Sequence, residues 1–375
     1  MAVYNINGNQ LNTVYDMSNN QLSQAYDINE NPLLDGGGDE VLDDLLPNRL
    51  LVWHDEFDGT EVDSSKWNHL FGYYNANRYY MYENDLAHNA YCEDSVLHIT
   101  NEKDSTMSNT SWTGAFIHTN NLFEFRYGMI EAKMKFPTNT NVYHSTFWTL
   151  GANYERICNV NTQGDETQGV LASTCGEIDI AEGDNGTVTT TKHWATPSTN
   201  AHQSGGHATI TSDSANWHIY GCEWTEDTIK IYLDRVLINT WNVSNATVEN
   251  FNAFRLPHFL MFNQNPQLSG TQTENFLETL VDWVRVYAPE GVTKIIKEIG
   301  ISIDSTLSLS VGGTHLLTGT FTPSNPSDMT LIWTTSDSSV CTCYGGKVTA
   351  IASGTATVTA TTKNGYSATC TVTVS

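Results

Sequence analysis

The segment that most constrains the fold is residues 175–183, Cys-Gly-Glu-Ile-Asp-Ile-Ala-Glu-Gly. Its acidic and aliphatic residues alternate, which predicts a β-strand because successive strand side chains point to opposite faces. Strict alternation places Glu177 and Asp179 on one face and Glu182 on the other. A β-bulge of one extra residue at Ile180-Ala181 would return Glu182 to the face of the other two acids. The predicted element is therefore a bulged strand with three carboxylates on one face.

A row of carboxylates of this kind is suited to glycoside hydrolysis. That reaction needs two carboxyl groups, about 5 Å apart when anomeric configuration is retained. With the bulge, the outer Cα atoms lie about 13 Å apart, and inward-leaning glutamates could close that distance. Asp179, between them, would separate their pKa values and hold one by a hydrogen bond. The same alternation also fits an antiparallel strand with one solvated face, although three acids on one face repel each other.

Glu-Ile-Asp-Ile-Ala-Glu resembles the active-site signature of glycoside hydrolase family 16 in its bulged E-x-D-x-x-E form. Other segments resemble that family in kind and order, over about residues 50–288. They are 53–59 (Trp-His-Asp-Glu-Phe-Asp-Gly), 127–137 (Tyr-Gly-Met-Ile-Glu-Ala-Lys-Met-Lys-Phe-Pro), 147–151 (Phe-Trp-Thr-Leu-Gly), 218–224 (His-Ile-Tyr-Gly-Cys-Glu-Trp) and 281–287 (Val-Asp-Trp-Val-Arg-Val-Tyr). The resemblance implies an all-β, concanavalin A-like jelly-roll β-sandwich with the substrate cleft on its concave face.

The resemblance also implies a reaction and roles for individual residues. The activity would be that of a retaining endo-β-glycanase, with Glu177 as nucleophile, Glu182 as acid and base, and Asp179 assisting the nucleophile. The residues expected on the substrate side are Trp148, His193, Trp194, Asn77, Arg78 and Asn263. Tryptophans of β-sandwiches also fill cores, and His193 also fits an ordinary structural role.

The substrate implied first is a β-1,3-glucan or mixed-linkage β-1,3-1,4-glucan. Two segments depart from the glucanase pattern: 143–148 (Tyr-His-Ser-Thr-Phe-Trp) replaces W-P-A-F-W, and 77–81 (Asn-Arg-Tyr-Tyr-Met) replaces N-x-E-x-Q. The first is closer to members that cleave galactans, so a β-galactan of the agar, porphyran or carrageenan type is the alternative. A third hypothesis is a carbohydrate-binding surface protein without turnover, although the complete set of three acids disfavours it.

No cofactor is expected for catalysis, but the resemblance implies a site for a structural calcium ion. Family members often hold one with oxygens near the opening D-E-F segment and with the carboxylate of the final strand. Here those positions are Glu56 and Asp282, and oxygen ligands suit calcium chemically. A solvated aspartate at the end of a strand explains Asp282 equally well.

Charge and hydropathy limit the partners. The chain has 17 Lys and Arg against 42 Asp and Glu, a formal charge of −25. This charge repels phosphate backbones and predicts no nucleic-acid partner; it also disfavours densely sulfated polysaccharides. No apolar run reaches the roughly 18 residues of a membrane span. The N-terminus has no signal-peptide pattern. The expected location is extracellular, cell-surface or phage-associated, and it requires either a removed signal peptide or another export route.

Composition predicts four segments. Residues 1–35 hold three 11-residue β-type repeats, such as Tyr-Asn-Ile-Asn-Gly-Asn-Gln-Leu at 4–11, and residues 36–48 form a Gly-rich linker. Residues 49–289 carry the hydrolase-like pattern. Residues 295–375 alternate Thr and Ser with Val and Ala between Gly turns, which predicts a small sandwich. This last segment resembles the bacterial immunoglobulin-like domain of group two, and it suits a spacer or a module for surface or virion attachment.

Overall fold

The computed structural model describes residues 44–70, 72–74, 79–81, 86–104, 112–137, 143–154, 175–184, 186–195, 202–244, 251–266 and 276–375. The 11-residue repeats and most of the linker lie outside these residues. Within these residues, apart from two 3-10 turns, Leu86–His88 and Phe251–Arg255, and the single helical residue Cys175, the regular elements are β-strands. The expectation of an all-β chain is confirmed.

The strands before residue 200 are β1 Leu51–Asp55, β2 Asn68–His69, β3 Gly72–Tyr74, β4 Tyr79–Met81, β5 Ala90–Glu93, β6 Val96–Lys103, β7 Trp112–Thr113, β8 Ala115–His118, β9 Gly128–Lys135, β10 Tyr143–Gly151, β11 Glu177–Asp184 and β12 Thr187–Ala195. Those between residues 200 and 290 are β13 His202–Thr211, β14 His218–Trp224, β15 Thr228–Leu233, β16 Val236–Asn242, β17 His258–Pro266 and β18 Phe276–Tyr287. Those after residue 290 are β19 Gly300–Ser302, β20 Thr306–Leu309, β21 Thr314–Leu316, β22 Thr320–Thr322, β23 Leu331–Thr335, β24 Cys341–Tyr344, β25 Lys347–Ala350, β26 Gly354–Thr362 and β27 Ser367–Val374.

Two large sheets form the body of the chain before residue 290. One has eleven described strands, in the order β16-β15-β14-β9-β18-β6-β7-β4-β3, with β1 beside β18 and β5 beside β6. The other has seven, in the order β13-β12-β11-β10-β17-β8-β2, and holds the acidic strand β11 between β10 and β12. Neighbours in this second sheet are antiparallel.

A continuous apolar core lies between the two sheets. Each sheet contributes the inward residues of its alternating strands, since period-two alternation sends every second side chain to the same face. The larger sheet supplies residues such as Ile130, Ala132, Met134, Val284 and Val286, and the smaller one supplies Phe147, Ile178, Ile180, Leu260 and Phe262, all fully buried. At about 25 cal/mol per Å² of apolar surface removed from water, this layer is the main stabilising contribution in this part of the chain.

Residues 300–374 form a second, smaller sandwich. A four-stranded sheet, β20-β27-β26-β23, and a three-stranded sheet, β21-β25-β24, enclose a core that includes Cys341, Val348, Val358, Cys370 and Val372. The alternation of Thr and Ser with Val and Ala in this region appears as short strands, among them β23, β25 and β26. Ser367–Val374, which alternates equally well, adds β27.

The small sandwich packs directly on the segment that precedes β9. The backbone N–H of Met329 donates to the carbonyl of Glu124, and the N–H of Glu124 donates to Thr330 Oγ1. Arg126 donates to Asn325, and Lys363 donates to the carbonyl of Leu122. These bonds hold the two sandwiches together through backbone groups as well as through side chains.

By its internal contacts the chain divides into Leu51–Pro289 with Ile296–Ser375, and Met1–Leu50 with Glu290–Ile295. The described residues of the second unit, 44–50 and 290–295, are turns and irregular segments. Within the described part of the chain, no helix combines the length and the apolar composition needed to cross a bilayer. The domain boundaries inferred from composition stay predictions.

Replacing Glu124 by Gln tests the contact between the sandwiches through its pH dependence. Glu124 is almost fully buried, and burial raises its pKa from 4.5 to about 8; Asp328 and Lys363 are the nearby charges. Because the folded-state pKa lies above the unfolded one, the stability that this carboxyl contributes is complete below about pH 4.5. It is lost as the pH rises to about 8. We therefore expect the Tm of Glu124→Gln relative to the parent to increase between pH 5 and 8 and then to level off, in calorimetry.

The exposed Glu61→Gln variant is the matched control and should track the parent at every pH. A Tm difference for Glu124→Gln that stays constant from pH 5 to 9 would contradict the assignment.

Candidate active site

The acidic strand contains the predicted β-bulge. Against β10, Ala181 pairs with Phe147 and Asp179 pairs with Trp148, so Ile180 is the extra residue. Against β12, Thr190 alone stands opposite Ile180 and Ala181. Thr190 Oγ1 also donates to the carbonyl of Asp179 at 2.6 Å, which fastens the bulge to the neighbouring strand.

The bulge brings the three carboxylates to one face. Ile178, Ile180 and Ala181 are fully buried in the core, whereas the side chains of Glu177 and Glu182 remain about one-fifth exposed. The pKa of Glu177 responds to the charges of both Asp179 and Glu182, as expected for three groups on one face. The sequence prediction of a bulged strand with a shared acidic face is confirmed.

Burial and mutual repulsion change the acidity of Glu177 and Asp179, the inner pair of carboxyl groups. Burial, followed by the charge of Asp179, raises the pKa of Glu177 well above its usual range, while His193 opposes the shift. Burial, followed by the charge of Glu182, likewise raises the pKa of Asp179. Each of the two carboxyl groups contributes to the pKa shift of the other. The arrangement favours one proton held between Glu177 and Asp179, as in other closely spaced carboxyl pairs.

His193 faces this pair from β12. It is the register partner of Glu177, and its Nε2 lies 3.0 Å from Asp179 Oδ2 and 3.8 Å from Glu177 Oε1. Its other nitrogen, Nδ1, lies 2.9 Å from Nε2 of His202 on β13, and the two rings stack. The imidazole is therefore oriented on one side by a second histidine and on the other by the carboxylates.

Trp148 and Asn263 lie on the opposite flank of the row. Trp148 is the register partner of Asp179 and is partly exposed. Its Nε1–H donates to Asn263 Oδ1 at 2.7 Å, and its ring meets Phe116 edge-on. Asn263 is itself buried and pairs with Thr146, which in turn pairs with Glu182. The structure thus brings Trp148, Asn263 and His193 together around the acids.

Trp194 lies on the other side of the sheet, so its predicted place in the substrate cleft is wrong. It is buried in the core between the sheets, with the Lys192 ammonium 4.5 Å from its ring centroid. The physical reason is the period of two: His193 faces the carboxylates, and its sequence neighbour must then point inward. Asn77 and Arg78, also expected on the substrate side, lie outside the described residues.

The residues expected to bind calcium do not fit a calcium site in this arrangement. Glu56 accepts two hydrogen bonds from Arg285, at 2.8 and 2.7 Å, and His54 lies 3.2 Å away. Asp282 lies 2.6 Å from the Lys133 ammonium. Each carboxylate is already paired with a cation, and a neighbouring positive charge opposes calcium binding. Calcium stays a prediction and has no part in the mechanism below.

Two functional candidates were missed in the sequence. His144 Nε2 lies 3.7 Å from Glu182 Oε1, and His202 contacts His193. His144 could have been found, because it stands four residues before Trp148 on the same strand and so shares its face. His202 gives no such signal, because its position depends on the register between β12 and β13.

Comparisons with known proteins agree with the fold. Residues 52–289 match the family model described as β-porphyranase A–D, GH16 domain, and residues 299–372 match the bacterial Ig-like domain of group 2. A glucan endo-1,3-beta-glucosidase A1 of Niallia circulans is 30% identical over 270 residues, 63% of this chain and 37% of that relative. A minor capsid protein of Enterobacteria phage T3 is 39% identical over 90 residues, 24% of this chain and 21% of that protein.

Among solved structures, the chain is similar to LamAcat from Zobellia galactanivorans, with a TM-score of 0.54 and 25% identity. That match covers 64% of this chain and 98% of that one. By contrast, the chain spans little more than a third of the length of the curated relative from Niallia circulans.

Trp148→Phe and Trp194→Phe form a matched pair that separates the two faces of the sheet. Trp148→Phe removes the hydrogen bond to Asn263 on the acidic face, so we expect weaker binding of β-glycan oligosaccharides, by about tenfold or about 1.4 kcal/mol. It should also lower stability by the roughly 1–3 kcal/mol that an unpaired buried Asn263 oxygen costs. Trp194→Phe leaves a gap in the core, so we expect a loss of about 1–2 kcal/mol in the free energy of unfolding and unchanged affinity. Calorimetric titration and thermal melts measure the two effects. Weaker binding by Trp194→Phe together with parental binding by Trp148→Phe would contradict the placement of these residues.

Proposed function

Because the chain belongs to glycoside hydrolase family 16, we propose that its endo-acting cleavage of a β-linked polysaccharide proceeds by double displacement with retention of anomeric configuration. The chain is a glycosidase, and its substrate is a polysaccharide. The observation that carries the proposed mechanism is the bulge in β11, which presents Glu177, Asp179 and Glu182 on one face. Two carboxyl groups with different environments are what double displacement requires.

In the first step Glu177 attacks the anomeric carbon and forms a covalent glycosyl-enzyme, while Glu182 protonates the departing glycosidic oxygen. Asp179 holds the proton that it shares with Glu177 and donates that hydrogen bond, which stabilises the Glu177 anion and fixes its orientation. His193 borders both groups and keeps the pair in place.

In the second step Glu182 acts as a base. It takes a proton from a water molecule, which attacks the glycosyl-enzyme from the face that the leaving group vacated and releases Glu177. Glu182 is suited to this exchange because it lies at the outer end of the row, partly exposed, with His144 beside it. Asp179, by contrast, is almost fully buried.

For the substrate we favour a β-1,3- or mixed-linkage β-1,3-1,4-glucan. The similarity to the glucan endo-1,3-beta-glucosidase A1 of Niallia circulans supports this assignment. The formal charge of −25 supports it as well, because a neutral polymer is not repelled.

A β-galactan is the second candidate, and a specific observation favours it. The family model that matches residues 52–289 is that of β-porphyranases A–D. In addition, the Ser-Thr-Phe-Trp segment at 145–148 lies on β10, whose residue Trp148 borders the acids.

The flanking modules support attachment. The group 2 Ig-like domain and the similarity to a phage minor capsid protein suit a protein displayed on a cell surface or virion. For these two reasons we propose that the protein is displayed on a cell surface or virion, where it can contact extracellular polysaccharide.

Hydrolysis of a polymer panel by the parent and by Glu177→Gln tests the function. On laminarin, barley β-glucan, agarose, porphyran and carrageenan, we expect the parent to release reducing ends from a β-1,3-linked glucan above all. Glu177→Gln should lose about 10⁴-fold or more in rate, because no other group replaces the nucleophile. Affinity for the polymer should remain within a few-fold of the parent, and the exposed Glu61→Gln variant should behave as the parent.

Release of reducing ends from the galactans alone would show that the substrate is a β-galactan. Binding without release from any polymer would overturn the enzymatic assignment and leave a carbohydrate-binding protein. Near-parental turnover by Glu177→Gln would remove Glu177 as the nucleophile.

Glu182→Ala tests the bulge and the acid–base role together. Loss of the proton donor should lower polymer cleavage by about 10²- to 10⁴-fold, and activity on an aryl glycoside with an activated leaving group should fall less. Azide should restore turnover and give a β-glycosyl azide, because it replaces the water that Glu182 activates. NMR of the product identifies the anomer. A fall in stability without leaving-group dependence or azide rescue would refute this role, and an α-glycosyl azide would refute retention.

A further inference from the structure

Besides the proposed catalysis, the acidic row contains a group of side chains whose ligand atoms could hold a metal ion. Three possible ligand atoms, from Glu177, Asp179 and His193, all lie within 4.8 Å of one another. His193 Nε2 is 3.0 Å from Asp179 Oδ2 and 3.8 Å from Glu177 Oε1. We propose that this cluster binds a zinc ion, which occupies the catalytic centre and inhibits the enzyme in competition with substrate.

The distances fit the coordination geometry of zinc. Tetrahedral zinc binds nitrogen and oxygen at about 2.0 Å, which sets about 3.3 Å between neighbouring ligand atoms. The two measured separations from His193 Nε2, 3.0 and 3.8 Å, lie on either side of that value. Small rotations of two side chains therefore complete three positions of a tetrahedron, with the fourth open to water.

Asp179 offers an oxygen that already faces this point. Within the described residues, its Oδ2 is buried and makes no hydrogen bond of acceptable geometry, although His193 Nε2 is only 3.0 Å away. A buried carboxylate oxygen without a hydrogen bond is costly. A cation held between Asp179 Oδ2 and His193 Nε2 would satisfy both atoms at once.

His202 supports the ligand role of His193 from behind. Its Nε2 lies 2.9 Å from His193 Nδ1. When Nδ1–H donates to His202, the lone pair of Nε2 is directed at the carboxylates, the tautomer that a metal ion requires. Metal-binding histidines commonly have such a partner on their second nitrogen, and its loss weakens metal affinity by about 10- to 100-fold.

The mixed ligand set selects among cations. Calcium and magnesium prefer oxygen ligands and higher coordination numbers, and an imidazole suits zinc better. A zinc ion bound here neutralises Glu177, the proposed nucleophile, and takes the place of the proton that it shares with Asp179. Inhibition then follows from occupation of the site, without a change of fold.

Calorimetric titration of the full chain with zinc chloride, in a buffer that does not bind zinc, tests the site. We expect one zinc ion per chain, a loss of affinity of about 100-fold or more in His193→Asn, and a loss of about tenfold in His202→Asn. His315→Asn, which changes an exposed histidine of the small sandwich, is the matched control and should keep the parental affinity. Magnesium chloride should give no binding heat.

Thermal melts of each variant verify that the fold is intact, and His193→Gln provides a second variant if His193→Asn is unstable. Steady-state rates on the polymer that the parent cleaves should show that zinc raises KM and leaves kcat unchanged. Parental zinc affinity in both His193 variants, or inhibition that substrate does not relieve, would overturn the proposal. The titration needs no activity, so it distinguishes failure of this site from failure of the proposed hydrolase.

Discussion

The apolar layer between the two large sheets is the constraint on which the acidic strand depends. Ile178, Ile180 and Ala181 are fully buried in that layer, and this burial fixes which way β11 faces. Because the bulge adds one residue, Ile180, the strand satisfies the core and still returns Glu182 to the outer face. The same hydrophobic packing that stabilises the sandwich therefore assembles the acidic row, and a shift of register by one residue would destroy both.

Three acids side by side are tolerated because their surroundings limit the repulsion. The raised pKa values of Glu177 and Asp179 allow these two groups to hold one proton between them. Histidines border both ends of the row, His193 at the inner pair and His144 beside Glu182. Carboxyl and imidazole groups held this close together can stabilise positive charge that develops on a reacting sugar, and they can also bind a cation. This explains how one cluster suits both the proposed double displacement and the proposed zinc inhibition.

The small sandwich is more closely attached than a flexible spacer would be. Its Met329 and Thr330 pair with the backbone of Glu124, and the Glu124 carboxyl is buried beside them. Burial raises the pKa of that carboxyl to about 8 and makes the attachment sensitive to pH. A module held in this way would keep a defined orientation relative to the sandwich that carries the acidic strand.

The sequence by itself determined the all-β class and the acidic strand, because the period-two alternation of Glu177, Ile178 and Asp179 is a local property of the strand. The bulge was predicted from the break in that alternation before Glu182 and from the resemblance to a bulged family signature. The same period already excluded a shared face for His193 and Trp194, and the error there came from taking both as cleft residues. Only the tertiary structure decided that His202 supports His193 and that Arg285 and Lys133 occupy the carboxylates expected to bind calcium. Those pairings depend on strand register and on packing between distant segments, which local alternation does not specify.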